Sequence, residues 1–332
     1  MANLKEVRTR IASVSSTQQI TSAMKMVSAA KFRRAQNAIL GMRPYAAQLA
    51  EIVNDIDVED GVQTPYHEVR QLNKVLLVVV TSNKGLCGAF NSNVTKEASA
   101  RLQHYRDKGC EVKMITLGKR GTELFAKQEG LVAESYDDLL DNPTFDAVSD
   151  ICDKVMTAFC NKEYDFIEII YNQFKNSLTQ ILSTEQFLPV GKRRTENATH
   201  PAAVRHPSSR GEGNGERKTE NGEDNTPRPS ATPLQEGRAD AESGERNDYI
   251  YEPDKEQILR EMIPLTLRSQ FYRVVLDSLA AEHGARMTAM QKATDNATEL
   301  LKELRLSYNK ARQAAITNEI IEIVSGSEAL KG

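Results

Sequence analysis

The 332-residue chain carries Lys or Arg at 43 positions and Asp or Glu at 46, a formal net charge of −3 that singles out no class of partner. Its four cysteines show no CxxC or zinc spacing, which argues against a zinc module and suits a reducing compartment. No apolar run approaches the ~20 residues of a membrane-spanning helix, and the N-terminus lacks the apolar core of a signal peptide.

Residues 2 to 57 read as one long helix, and the first segment is set at 1–60. Leu4, Val7, Ile11 and Val14 keep a 3-4 spacing, which then shifts through Ile20, Met24, Val27 and Ala30 or Lys31 as a coiled-coil stutter would. Ala23, Ala29, Ala30, Ala35 and Ala38 permit close approach of a second helix. The run of Ser and Thr from Ser13 to Ser22 lowers intrinsic helicity, so this helix depends on packing. Pro44 predicts a kink, and Gly61 to Pro65 a stop.

An alternating α/β section, 70–190, follows. Lys74–Thr81 is a continuous β-branched run, as expected of a strand buried on both faces of a parallel sheet. A helix is predicted over Asn91–Asp107 with Asn91 as N-cap, a strand over Glu111–Leu117, and a short helix over Gly118–Gln128. Thr144–Asn161 reads as a helix, Asp165–Phe174 as a strong strand, and Ser177–Val190 as a further strand. The expectation is a small Rossmann-like, doubly wound α/β domain.

Residues 191–248 differ from everything before them. Ten basic and eleven acidic residues nearly cancel there, aromatic residues are absent, and the composition predicts a disordered insertion. In the last segment, 249–332, Tyr249–Tyr251 is read as resuming the sheet. A helix pattern then runs from Asp254 to Ser325, with Pro264 and Gly284 as its only breakers. From Leu276 a 3-4 row passes through Leu279, His283, Arg286, Met290, Ala293, Ala297, Leu300, Leu304, Ser307, Ala311 and Ala314 to Ile321. At ~1.5 Å per residue the helix is on the order of 100 Å long, more than an ordinary domain can bury. Because the two long helices flank the α/β section, they can pair only as an antiparallel two-helix coiled coil. The C-terminal one, being longer, projects its last turns alone.

No constellation for catalysis emerges. Ser82–Ala89, with Cys87, is a glycine-containing loop after a buried strand, but it matches neither a P-loop nor a nucleophile elbow and reads as a strand-to-helix turn. The five histidines show no metal spacing, and His283 reads as a partly exposed coiled-coil position. Residues 1–50 hold Lys5, Arg8, Arg10, Lys25, Lys31, Arg33, Arg34 and Arg43 against Glu6 alone. That excess admits three readings: a solvated face, contacts to nucleic-acid phosphate, or a docking face for an acidic protein collar. An RNA-binding or scaffolding coiled-coil arm therefore stays open as an alternative; it would bind polyanions with a steep salt dependence.

The stretches Leu4–Val14, Thr17–Gln36, Ala285–Ala297 and Tyr308–Gly326, with the loop Gly85–Gly88, closely resemble the gamma subunit of F-type ATP synthase. The resemblance spans all but residues 191–248. Ser327 stands where the family prefers Ala, and the insertion holds no cysteine, which excludes a thiol switch within it. The resemblance implies a non-catalytic rotor shaft without cofactor or metal, inside a ring of three alpha and three beta subunits. Its base would sit on the membrane c-ring beside epsilon, with no nucleic-acid partner. By motif match, Met24, Lys25 and Arg286 would lie near the moving lever of beta. Gln313, Thr317 and Glu319 would meet alpha and beta higher up, and Ala311, Ala314 and Ala315 would turn within a smooth sleeve. Each of these positions also has a plainer reading as rod packing. The absence of a transit peptide suggests a bacterial source, with the protein held at the cytoplasmic side of the plasma (inner) membrane through its complex.

Overall fold

The computed structural model describes residues 4–60, 64–176, 179–191 and 255–329. All belong to one compact unit formed by 1–191 with 251–332. Tyr249–Tyr251 and nearly all of the 191–248 insertion lie outside the described residues. The elements in chain order are α1 (Leu4–Asp60), β1 (Lys74–Val80), α2 (Phe90–Asp107), β2 (Glu111–Leu117), α3 (Lys119–Phe125), β3 (Val132–Tyr136), α4 (Phe145–Cys160), β4 (Phe166–Phe174), β5 (Gln180–Leu188) and α5 (Lys255–Ala329).

The strands form one sheet in the order β3-β2-β1-β4-β5. All pairs are parallel except β4 with β5, which is antiparallel. β1 lies at the centre, and its apolar residues alternate between two cores because successive side chains point to opposite faces. Val75, Leu77 and Val79 meet α2 through Val94, Ala98 and Leu102. Leu76, Val78 and Val80 face α4 and α5, where Val148, Cys152, Phe159, Phe271, Val274 and Val275 close the larger core. The continuous β-branched run thus reflects burial on both sides, as the sequence predicts.

Three local expectations are corrected. β3, at the sheet edge, has no counterpart in the sequence reading, because its five residues are mostly exposed and polar, with no apolar run to mark it. α3 ends at Phe125 rather than near Gln128. Asn91 is not an N-cap: α2 starts at Phe90 after Ala89, without a side-chain cap. Asn91 instead turns back, accepting from the Ser82 amide at 2.9 Å and donating to Ser82 Oγ at 2.8 Å.

Helix α5 is seated on the sheet by more than apolar contact. Arg268 grips Asp153 of α4 through two hydrogen bonds, 2.7 and 3.0 Å. Arg273 donates to Glu185 of β5 at 3.0 Å, and that carboxylate also accepts from Tyr171 at 2.6 Å. Phe271 packs edge-on against Phe187 with ring centroids 5.6 Å apart. Pro264 lies inside this helix and Pro44 inside α1, which continues to Asp60.

Beyond the sheet, α5 continues against α1 in antiparallel register. Ile39 packs with Leu276 and Ala280, Thr21 Oγ1 lies 2.8 Å from Thr294 Oγ1, and Gln18 donates to Thr298 at 2.7 Å. These pairs confirm the antiparallel coil. The same register brings Leu4 level with Ala311, and past Ala315 α5 is uncovered among the described residues: Ile316, Ile320, Ile321, Ile323 and Val324 are all exposed. The 3-4 row read from the sequence is buried or half-buried as far as Leu304, and Ala311 is its last covered position, level with the first described residue of α1.

Phe271 is 1% exposed at the seat of α5. Phe271→Ala is expected to destabilise the fold by about 3–5 kcal/mol, the range for truncating a buried aromatic, as read by denaturant unfolding.

Candidate functional site

The features left for function are the surface of the paired helices, the free end of α5, and the loop after β1. That loop, Thr81–Ala89, leaves the carboxyl end of the central strand, next to the point where the strand order reverses. In doubly wound sheets this crevice is the usual ligand position. Here it is filled. Cys87, Phe90 and Ala281 form one buried cluster with Phe174 and Ala285, so α5 and the loop occupy the space themselves. Asn172 donates to the Phe90 carbonyl at 3.1 Å and closes the floor.

The loop is pinned from two sides. From α2, Asn91 Nδ2 donates to Cys87 Sγ at 3.2 Å as well as to Ser82. From α5, Arg286 Nη2 donates to the Lys84 carbonyl at 2.7 Å, and both Nη2 and Nε reach the Gly85 carbonyl at 3.3 Å. Arg286 Nη1 donates to Glu282 at 2.6 Å, a buried pair one helical turn apart. Between these anchors Leu86 takes φ 63° and is 63% exposed, and Gly88 takes φ 61°. A leucine in the left-handed region costs roughly 1–2 kcal/mol. The turn after β1 is therefore structural, as the sequence suggests, with a strained and displayed apex.

A groove of about 870 Å³ opens beside it, lined by Met24, Val27 and Lys31 of α1, Lys84 and Leu86 of the loop, and Leu276 of α5. Exposed Lys31, Arg34 and Lys84 stand around it and have no ion pair among the described residues. The groove thus offers an apolar floor and a rim where these three cations outnumber the one exposed acid, Asp141.

The sequence-derived positions fall in three places. Met24 and Lys25 are half-buried on α1, Met24 lining the groove. Gln313, Thr317 and Glu319 are exposed on the free end of α5, as is Ala314, whereas Ala311 and Ala315 are half-buried. Arg286 differs from the others: it is only 7% exposed and its donors are spent on Glu282 and the loop carbonyls. The resemblance placed it by motif match, and nothing in the pattern of α5 signals the loop from Lys84 to Leu86, which is some two hundred residues away in the chain.

Burial, aided by the positive charges of Arg286 and Lys31, holds His283 down to about 4. Arg286 Nη1 approaches His283 Nδ1 at 3.4 Å, and since guanidinium can only donate, the ring is neutral and accepts there. Burial raises the carboxyl of neighbouring Glu282 above its ordinary range, opposed by its pairing with Arg286. Among the described residues no cluster of His, Cys, Asp and Glu is arranged to hold a metal. No helix among them is long and apolar enough to cross a membrane.

A sheet domain made from the middle of a chain, carrying both chain ends as one antiparallel coil with an uncovered tip, defines the central-stalk class of subunit. The same fold occurs in the rotor of Euglena gracilis mitochondrial ATP synthase, 17% identical, with a TM-score of 0.57 over 94% of this chain and 98% of that one. It recurs in the central stalk and c-ring structure of the Tetrahymena thermophila mitochondrial enzyme, 21% identical, with a TM-score of 0.52 over 82% of this chain and 99% of that one. The chain belongs to the ATP synthase gamma chain family: the family model described as ATP synthase matches residues 3–330. The ATP synthase gamma chains of Flavobacterium johnsoniae and Flavobacterium psychrophilum are 47% and 46% identical, each over the full length of both chains. These alignments span the whole chain, residues 191–248 included.

The histidine provides a pH test. An imidazole held neutral in the fold takes no proton between about pH 6.5 and 4 while the unfolded chain does, so its contribution is complete above 6.5 and is lost as pH falls toward 4. Glu282, with its raised carboxyl, acts in the opposite sense. In His283→Gln the loss of stability between pH 7 and 4.5 is expected to shrink, as measured by denaturant midpoints at each pH.

Proposed function

We propose that this protein is the central rotor shaft of an F-type ATP synthase. It couples ion flow through a membrane c-ring to ATP synthesis or hydrolysis on beta subunits by turning inside an alpha3beta3 ring. The observation that supports this reading is the dual seating of α5, which is fixed to α4 by Arg268, to the sheet by Phe271 and Arg273, and to α1 by the coil above. A turn of the sheet domain is thereby carried into the coil. The sheet domain is the part that meets the c-ring and epsilon, and the complex holds the protein peripherally at the cytoplasmic side of a bacterial plasma membrane. It supplies no catalytic group and needs no cofactor.

A ring subunit responds to the shaft only where the shaft's faces differ, since an equilibrium shifts only through differential interaction. The coil supplies that difference. One side carries the apolar groove with Lys31, Arg34 and Lys84 at its rim. Met24 and Lys25 are the contacts on α1 to the moving part of beta. Gln313, Thr317 and Glu319 on the free end of α5 meet alpha and beta, and Ala311, Ala314 and Ala315 keep that end slim where it turns.

The first test is affinity purification of the tagged protein, which should bring down alpha, beta and epsilon. Recovery of nucleic acid with salt-sensitive binding, and no ring subunits, would refute the reading. In the assembled complex, Met24→Lys should lower the number of ions pumped per ATP hydrolysed while leaving assembly intact. An unchanged ratio would remove Met24 from the contact.

A further inference from the structure

We propose that Arg286 is a positioning residue: it locks the Lys84–Leu86 turn onto α5 so that Leu86 is presented as a fixed apolar contact to the ring subunit that the shaft drives. This rests on the rotor reading above and assigns Arg286 a role other than direct contact. Four observations carry it. Arg286 is 7% exposed, so its charge is not available to a neighbouring subunit. Its guanidinium spans two successive backbone carbonyls, those of Lys84 and Gly85, while Glu282 takes the remaining edge. The planar fork of arginine suits this task and a single ammonium does not. On the far side of the turn Cys87 is buried and held by Asn91, so the apex is fixed at both shoulders.

The fourth observation is Leu86 itself. A γ-branched residue at φ 63° persists only where its surroundings impose the conformation. Yet Leu86 is 63% exposed, so this chain leaves most of its surface uncovered. A strained backbone that turns a leucine outward has its benefit in a partner. Leu86 also borders the groove that holds Met24, so both belong to one contact face.

The experiment compares Arg286→Ala, Arg286→Lys, Leu86→Ala and the double variant Arg286→Ala with Leu86→Ala, in the assembled complex and in the isolated protein. Amide exchange at residues 84–88 reports the turn, and ions pumped per ATP hydrolysed report coupling. Arg286→Ala should speed exchange there by about tenfold, the signature of a local opening, and lower coupling as far as Leu86→Ala does. The double variant should couple no worse than Leu86→Ala, because both changes remove the same contact. Arg286→Lys should fail to restore either readout. Unchanged exchange in Arg286→Ala, full rescue by Lys, or an additive loss in the double variant would each overturn the proposal. Failure of the wild-type protein to join the ring would sink the rotor reading instead, while the exchange comparison in the isolated protein would still decide what Arg286 does to the turn.

Discussion

Much of this molecule follows from one helix serving two cores. The first half of α5 gives Ile263, Leu267, Phe271, Val274 and Val275 to the sheet, where they replace the helix that would otherwise cover that face. The second half gives Met290, Ala297 and Leu301 to α1. Helix α1 has far less hold on the sheet domain: Phe32 meets Phe174 with ring centroids 5.3 Å apart, and Ala35 packs at the edge of the large core. Of the two helices of the coil, α5 therefore has the stronger hold on the sheet domain and carries most of any force passing between them. The ion pairs of Arg268 and Arg273 sit at that junction, where sliding along an apolar surface would otherwise be the weak mode.

The sheet is Rossmann-like in strand order, yet its switch-point crevice holds protein rather than ligand. Ala281 and Ala285 of α5 are small enough to enter it, and Cys87 and Phe90 meet them there. A fold associated with nucleotide binding has been turned into a socket. Function is argued from such sites and not from topology, and here the topology alone would mislead.

What the sequence made legible was what repeats. The 3-4 rows of α1 and α5 and the β-branched run of β1 each write their burial into a local period, so their existence and pairing could be read directly. β3 could not, because an exposed edge strand of five residues has no apolar period to show. The role of Asn91 was misread because Asn is equally suited to cap a helix or to reach back across a turn, and only the fold brings Ser82 within range. Arg286 was read as a coil position that the family resemblance places near beta. Its partners are two backbone carbonyls in a distant loop, and backbone groups leave no trace in a residue pattern.

The uncovered end of α5 has a consequence for the life of the protein before assembly. Five branched apolar residues between Ile316 and Val324 face water on a lone helix, where a second copy could shelter them as readily as a ring subunit. An apolar stripe of this kind favours self-association of the isolated chain.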